Sequence, residues 1–257
     1  MTPAQQYIAF QTIVVREIRR FTRIWVQTLV PPVITMTLYF VIFGKLIGSR
    51  IGDMGGYGYM EFVVPGLIMM SVITNSYSNV VSSFYGAKFA NNIEELLVSP
   101  TPNWIILAGF IIGGVARGLM VGLLVTLVSL FFTDLQIYSI PITALVVFLT
   151  AVLFSIGGLI NAIYANSFDD ISIVPTFILT PLTYLGGVFY SISLLPPFWA
   201  TVSQANPVLY MVNTFRYGVL GHSDIDVGYA IAMIVLGVIA GGAFALYQLT
   251  YSPRLRN

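Results

Sequence analysis

The sequence has no cysteine and one histidine, His222. Disulfides, thiolate catalysis and cysteine-based metal sites are thereby excluded, and one imidazole cannot assemble a metal cluster. Charge is scarce too: Asp, Glu, Lys and Arg make up 8% of the chain, against about a quarter in soluble domains. A net charge of +1 offers no basic groove to nucleic acid. There is no Gly-x-x-x-x-Gly-Lys-[Ser/Thr] phosphate loop and no Gly-x-Ser-x-Gly elbow, so neither ATP binding nor serine hydrolysis has its usual motif here. No cleaved leader is expected, because the apolar run after Arg23 is too long for one and lacks a small-residue cleavage site.

What remains is apolar. Hydrophobic residues are 57% of the 257, so the solvent for most of this surface is lipid. Spans need about 20 residues each, which leaves room for six or seven crossings and no separate soluble domain. The expected fold is all-α: one polytopic transmembrane domain over residues 1–257. Six long apolar segments fall near 24–47, 59–82, 103–132, 139–164, 171–191 and 227–250. Ahead of them, residues 5–23 carry Tyr7, Phe10, Val14, Ile18 and Phe21 at helical spacing, with Arg16, Arg19, Arg20 and Arg23 largely on other faces. That pattern predicts an interfacial helix whose arginines meet anionic head groups of membrane lipids.

The segment 192–226 is apolar but broken by Pro196, Pro197 and Pro207, and reads as short outer re-entrant helices rather than a seventh crossing. Six crossings put seven basic residues (Arg16, Arg19, Arg20, Arg23, Lys88, Arg254, Arg256) on one side and three (Lys45, Arg50, Arg216) on the other. The bias places both termini in the cytoplasm. Tyr57, Tyr59, Trp104, Tyr138 and Trp199 fall near span ends, where amphipathic rings favour the head-group layer.

The largest cytoplasmic connection spans 86–102. Asn91 or Asn92 can cap a short helix there, Glu94 and Glu95 favour its first turn, and Pro100 stops it. An exposed Leu96–Leu97 edge fits either a docking element or a loop helix lying on the membrane. In the next connection, Asp169 and Asp170 are expected to cap the fifth span. On the second span Ser71, Asn75, Ser78 and Ser82 share one face with Asn79 beside it, suited to helix packing or to a cavity wall. Pro175 and Pro181 predict a bent fifth span carrying Phe177, Thr180 and Tyr184. Arg117, deep in the third span, needs a structural partner.

The run Ile93-Glu94-Glu95-Leu96-Leu97-Val98-Ser99-Pro100 resembles the coupling-helix signature of type-2 ABC exporter permeases. Pro31-Pro32, Pro65-Gly66-Leu67, Phe168-Asp169-Asp170, Gly186 to Tyr190, Leu195 to Trp199, Asn206-Pro207 and Phe215 to Gly218 agree with that family over nearly the whole length. The chain departs from it in having Asn91-Asn92 where Gly-Thr is frequent. The resemblance implies a non-enzymatic permease of the bacterial inner membrane, working as a homodimer that exports an amphiphilic or apolar substrate. It also implies a separate ATPase subunit, which holds ATP and Mg, while this chain binds no cofactor and no metal. Coupling would run through Asn91, Asn92, Ile93, Glu94, Glu95, Leu96, Leu97 and Pro100. Substrate would pass along Ser71, Asn75 and Ser78 of the second span and Phe177, Thr180, Pro181 and Tyr184 of the fifth. A secondary transporter or channel without an ATPase is the alternative, and it gives no reason for the acidic connection.

Overall fold

The computed structural model describes residues 1–54 and 56–255, for Lys45 and Ser49 in the backbone only. Arg256, counted above among the cytoplasmic charges, lies outside the described residues. The described chain is helical apart from one short antiparallel pairing of β1 (Asp53–Met54) with β2 (Tyr57–Gly58).

Helix α1 (Pro3–Arg23) begins at a capping box in which the Thr2 hydroxyl accepts from the Gln5 N–H and the Gln5 side chain accepts from the Thr2 N–H. At Ile24 the backbone leaves helical geometry, with φ −113° and ψ 38°. The Thr28 hydroxyl reaches back to the Phe21 carbonyl at 2.8 Å and fixes the corner. The chain then enters α2 (Trp25–Thr28) and α3 (Val30–Tyr39), where Pro31 and Pro32 occupy first-turn positions that need no N–H. A π-helical stretch, Phe40–Ile47, and α4 (Gly48–Ile51) complete this segment.

The longest helix is α5 (Tyr59–Phe89), followed by the short α6 (Asn92–Val98). Then come α7 (Asn103–Ser129) and α8 (Ile140–Tyr164). The proline-rich segment holds α9 (Asp170–Val174), a π turn at Pro175–Leu179 and α10 (Thr180–Tyr184). A 3-10 turn at Ile192–Leu194, α11 (Pro197–Gln204) and α12 (Pro207–Leu220) follow. The last long helix is α13 (Val227–Tyr251), capped by Asp226 accepting from the Tyr229 N–H, with a final 3-10 turn at Pro253–Leu255.

Among the described residues, four helical segments are long and apolar enough to cross a membrane: Trp25–Gly44, Asn103–Ser129, Ile140–Tyr164 and Val227–Tyr251. Helix α5 has the length but is diluted by Ser71, Thr74, Asn75, Ser76, Ser78 and Asn79. The segment expected as a fifth span at 171–191 is helical only over 170–184. At about 1.5 Å per residue that is short of a hydrocarbon core of about 30 Å. Its end is set by Gly186–Gly187, where Gly187 takes a φ of +71°.

Helix α5 is the axis of the fold, packed against α7 and α8 and, toward its N-terminal end, α12. Its closeness to α7 comes from glycine. Gly114 and Gly118 stand one turn apart, and a Cβ on Gly118 would collide with the Ser76 side chain of α5. Without a hydrophobic drive between helices in lipid, such small residues let backbones approach and gain contact. A second lane on α7, Gly109 and Gly113, receives Ile13 and Glu17 of α1. The face α1 buries is therefore Ile13, Glu17 and Phe21, while Tyr7 of the expected stripe stays more than half exposed. Of the rings assigned to the head-group layer, Trp104, Tyr138 and Trp199 are exposed but Tyr59 is buried, because it packs inward where α5 begins.

Arg216, counted above as an outer charge, is fully buried. It donates from Nε to the Phe62 carbonyl at 3.2 Å and from Nη2 to the Gly187 carbonyl at 2.7 Å, with its guanidinium 3.7 Å from the centre of the Phe62 ring. It thus ties α12 to α5 and to the turn after α10.

Candidate functional site

Helix α5 stops at Ala90, and Asn91 turns the chain with a φ of +58°, a left-handed conformation that Asn tolerates. Neither Asn91 nor Asn92 caps α6 with its side chain, because the left-handed turn carries the Asn91 side chain away from the N–H groups it was expected to meet. Ile93 is buried and anchors α6, whereas Glu94 and Glu95 are exposed in its first turn. Leu96 and Leu97 are half-buried against the body of the protein, so the exposed apolar residue is Val98, at 86%. The Ser99 hydroxyl donates to the Leu96 carbonyl at 2.6 Å and, with Pro100, ends the helix.

The connection between α8 and α9 lies beside this one. Lys88 Nζ donates to the Ile163 and Ala165 carbonyls at 2.8 Å each, satisfying the open end of α8 with a cation. Phe168 packs edge-on to Tyr85 and against Phe89, each pair of ring centres 5.0 Å apart. A cavity of about 300 Å³ lies between α6, this connection and the C-terminal turn, lined by Asn91, Ile93, Glu94, Asn166 and Arg254 among others. Asp170 does not cap α9 as expected. Its carboxylate accepts from the Asn166 N–H at 2.9 Å and from the Ser167 hydroxyl at 2.8 Å, while the Ser167 oxygen accepts from the Asp170 N–H. Asp169 holds the N-cap position of α9 but its side chain makes no capping hydrogen bond, and the bonds to Asp170, the Asn166 N–H first, hold its carboxyl below the usual carboxylate range.

The residues read as a transport wall divide into two groups. Ser71 and Asn75 face the interior: the Ser71 hydroxyl donates to the Ile68 carbonyl at 2.7 Å, and Asn75 Oδ1 accepts from Arg117 Nη2 at 3.3 Å. Arg117 also donates to the Thr28 carbonyl at 3.2 Å, so its partners are a carbonyl and an amide rather than an acid. The open edge of α5 is Thr74, Ser78 and Ser82 instead, with Thr74 and Ser82 exposed and Ser78 half-buried. Phe177, Thr180, Pro181 and Tyr184 are all exposed. Tyr184 closes an aromatic cluster with the first span: its hydroxyl lies 3.1 Å from that of Tyr39, and its ring stacks on Phe189 at 5.7 Å. Phe43 meets the same Phe189 ring at 4.7 Å.

One functional-looking residue escaped the sequence reading. Glu17, 1% exposed, is a buried carboxylate on α1, held by the Ser83 hydroxyl of α5 at 2.5 Å and by Arg16 at 3.3 Å and Arg20 at 3.6 Å. Arg20 in turn donates from Nη2 to both the carbonyl and Oδ1 of Asn79, at 2.8 Å each. The available signal was the four-residue spacing of Ile13, Glu17 and Phe21, a lane that contains the only acid of the helix. Among the described residues no group of three or more His, Cys, Asp and Glu converges as a metal site would require.

Against known proteins, the family model described as "ABC-2 type transporter" matches residues 8–220. The chain is 63% identical over 234 residues to the inner membrane transport permease YadH of Escherichia coli strain K12, covering 91% of each chain. It is 21% identical over 207 residues to nodulation protein J of Rhizobium leguminosarum bv. trifolii, covering 79% of this chain and 78% of that one. To nodulation protein J of Rhizobium meliloti it is 22% identical over 202 residues, covering 77% and 76%.

Proposed function

The chain belongs to the ABC-2 type transporter family, and from that premise we propose that it is an exporter permease that dimerises with a second copy and takes its motion from an ATPase through α6. As a family member it is a transport permease, the non-enzymatic membrane subunit of an ABC transporter, and its family implies an ATP-binding partner subunit. Export of an amphiphilic or apolar molecule, the homodimer, and six crossings of the inner membrane with both termini cytoplasmic are the finer reading. ATP and Mg would be held on the partner subunit.

The observation that carries the reading is the construction of α6. It presents Glu94, Glu95 and Val98 outward and roots itself through Ile93, so force applied to its outer face passes to α5 rather than dissipating in a loop. Lys88 and Phe168 join the second cytoplasmic connection to the same base. A docking surface with exposed acids and one apolar knob suits a partner face carrying cations around an apolar socket. For the translocation wall, exposed Thr74 with half-buried Ser78, and exposed Phe177, Thr180, Pro181 and Tyr184, supply apolar contact with scattered hydroxyls and no fixed charge.

The test is E94K/E95K in the assembled transporter. Membrane insertion should be unaffected, while ATPase association weakens or ATP hydrolysis no longer drives transport. Coupled transport at the unmodified rate would place the docking surface elsewhere.

A further inference from the structure

A cavity of about 910 Å³ opens between α1, the cytoplasmic end of α5 and the start of α6. Its wall holds four arginines, Arg16, Arg19, Arg20 and Arg23, with Glu17 as the single carboxylate, and Ser82 and Ser83 line the opposite side. The charges are unequally matched. Glu17 is shared between Arg16 and Arg20, and Arg20 is further fixed by Asn79. Arg19 and Arg23 have no hydrogen-bond or ion-pair partner among the described residues and are exposed. Four cations against one acid leave the wall three charges positive.

Two features identify what balances them. Tyr7, Ile8, Trp25 and Val26, at the two ends of α1, are each more than half exposed, which suits a helix lying in the boundary between head groups and acyl chains. Cations at that depth meet phosphate, and the guanidinium fork matches the oxygens of a phosphoryl group with paired, charge-assisted hydrogen bonds. The volume is also far larger than one inorganic anion fills and lies in the range of sites that enclose a sizeable molecule.

We propose that this cavity binds the phosphate-bearing head group of a membrane amphiphile at the cytoplasmic face, with Arg19 and Arg23 as its direct ligands. Arg16 and Arg20, held by Glu17, form the fixed cationic back of the site. Because Asn92 of α6 lines the same cavity, an occupied site borders the helix through which the transporter is coupled. The inference rests on the placement of α1 at the cytoplasmic membrane surface.

The test is lipid retention by the full-length chain alone, read by native mass spectrometry in detergent, so that a failure of ATPase coupling cannot be mistaken for a failure of this site. Phosphatidylglycerol should be retained in preference to diacylglycerol. R19Q/R23Q should lower that retention about tenfold, as expected for losing charge-assisted hydrogen bonds. S82W, which fills the cavity and leaves every charge in place, should lower it as well. Protection of Arg19 and Arg23 in the unmodified chain from phenylglyoxal by phosphatidylglycerol gives a readout that needs no variant. Equal retention by R19Q/R23Q, unchanged retention by S82W, or absence of protection would each overturn the site. Complete displacement of the lipid by an equal concentration of inorganic phosphate would show a free-anion site and overturn the membrane-borne ligand. Failure of α1 to reach the membrane surface would appear separately, as unquenched Trp25 fluorescence in vesicles of brominated lipid.

Discussion

The Glu17 carboxylate of α1 accepts a hydrogen bond from the Ser83 hydroxyl of α5 at 2.5 Å, across 66 residues of sequence and in a place closed to solvent. The contact is possible because Gly113 of α7 has no side chain where the Glu17 Cβ lies. A helix that composition marks as a floating amphipathic segment is therefore keyed into the body of the protein by a buried acid.

Glu17→Ala should destabilise the protein by about 3–5 kcal/mol, the usual cost of stripping one partner from a buried charge cluster. Arg16 and Arg20 would be left facing each other without the carboxylate that pairs them. Ser83→Ala removes one hydrogen bond to the buried carboxylate and should cost about 1.5–3 kcal/mol. Thermal unfolding in detergent checks both, and equal, small shifts for the two variants would show that Glu17 carries no structural weight.

Arg216→Met is expected to lower stability by roughly 3 kcal/mol, since two charge-assisted bonds of about 1.5–3 kcal/mol each are lost. Methionine fills a similar volume but leaves the Phe62 and Gly187 carbonyls without donors. Relief from burying a cation acts in the opposite sense, and its cation–π contact with Phe62 already offsets part of that burden. An unchanged unfolding midpoint would mean that the two effects cancel.

Much of this architecture was legible in the sequence. Long apolar runs predict α7, α8 and α13 to within a few residues, because lipid imposes one length and one composition on every crossing. The short acidic α6 and its stop before Pro100 were readable from the placement of Glu94, Glu95 and the proline, but its start was not, since neither asparagine caps it. Position across space was not. Ser71 and Asn75 share a helical face with Ser78, yet only a neighbour such as Arg117 decides that they turn inward while Thr74 and Ser78 stay open. Arg216 counted as an outer charge for the same reason: nothing within α12 shows that two carbonyls, from positions 62 and 187, converge on it. The Gly114–Gly118 spacing was present in the sequence, and its meaning depended on which helix came to lie against it.

The membrane topology can be tested with unusual cleanness, since the chain has no cysteine to remove. With six crossings, His222→Cys should react with an impermeant thiol reagent from outside the cell, and Asn257→Cys, beyond the described residues, should not. Labelling of position 257 from outside would require an odd number of crossings and would turn the Arg254 side outward, against the positive-inside bias.

The transport wall makes the most exposed claim. If substrate passes between two protomers along α5 and the 170–184 segment, a large ring on either edge should obstruct it without disturbing assembly. The positions must be chosen by burial. Asn75 is only 5% exposed and holds Arg117, so a tryptophan there would disrupt the α5–α7 contact and lose export through misfolding. Ser78 is half-buried at the open edge, and Thr180 is exposed with its hydroxyl turned back to the Pro175 carbonyl at 2.9 Å. Ser78→Trp and Thr180→Trp should therefore abolish export in reconstituted vesicles while dimer formation and ATPase binding persist, whereas Asn75→Trp should reduce folded yield. Normal export by both Ser78→Trp and Thr180→Trp would remove these helices from the pathway, since a side chain of that size cannot line a narrow passage and leave it open.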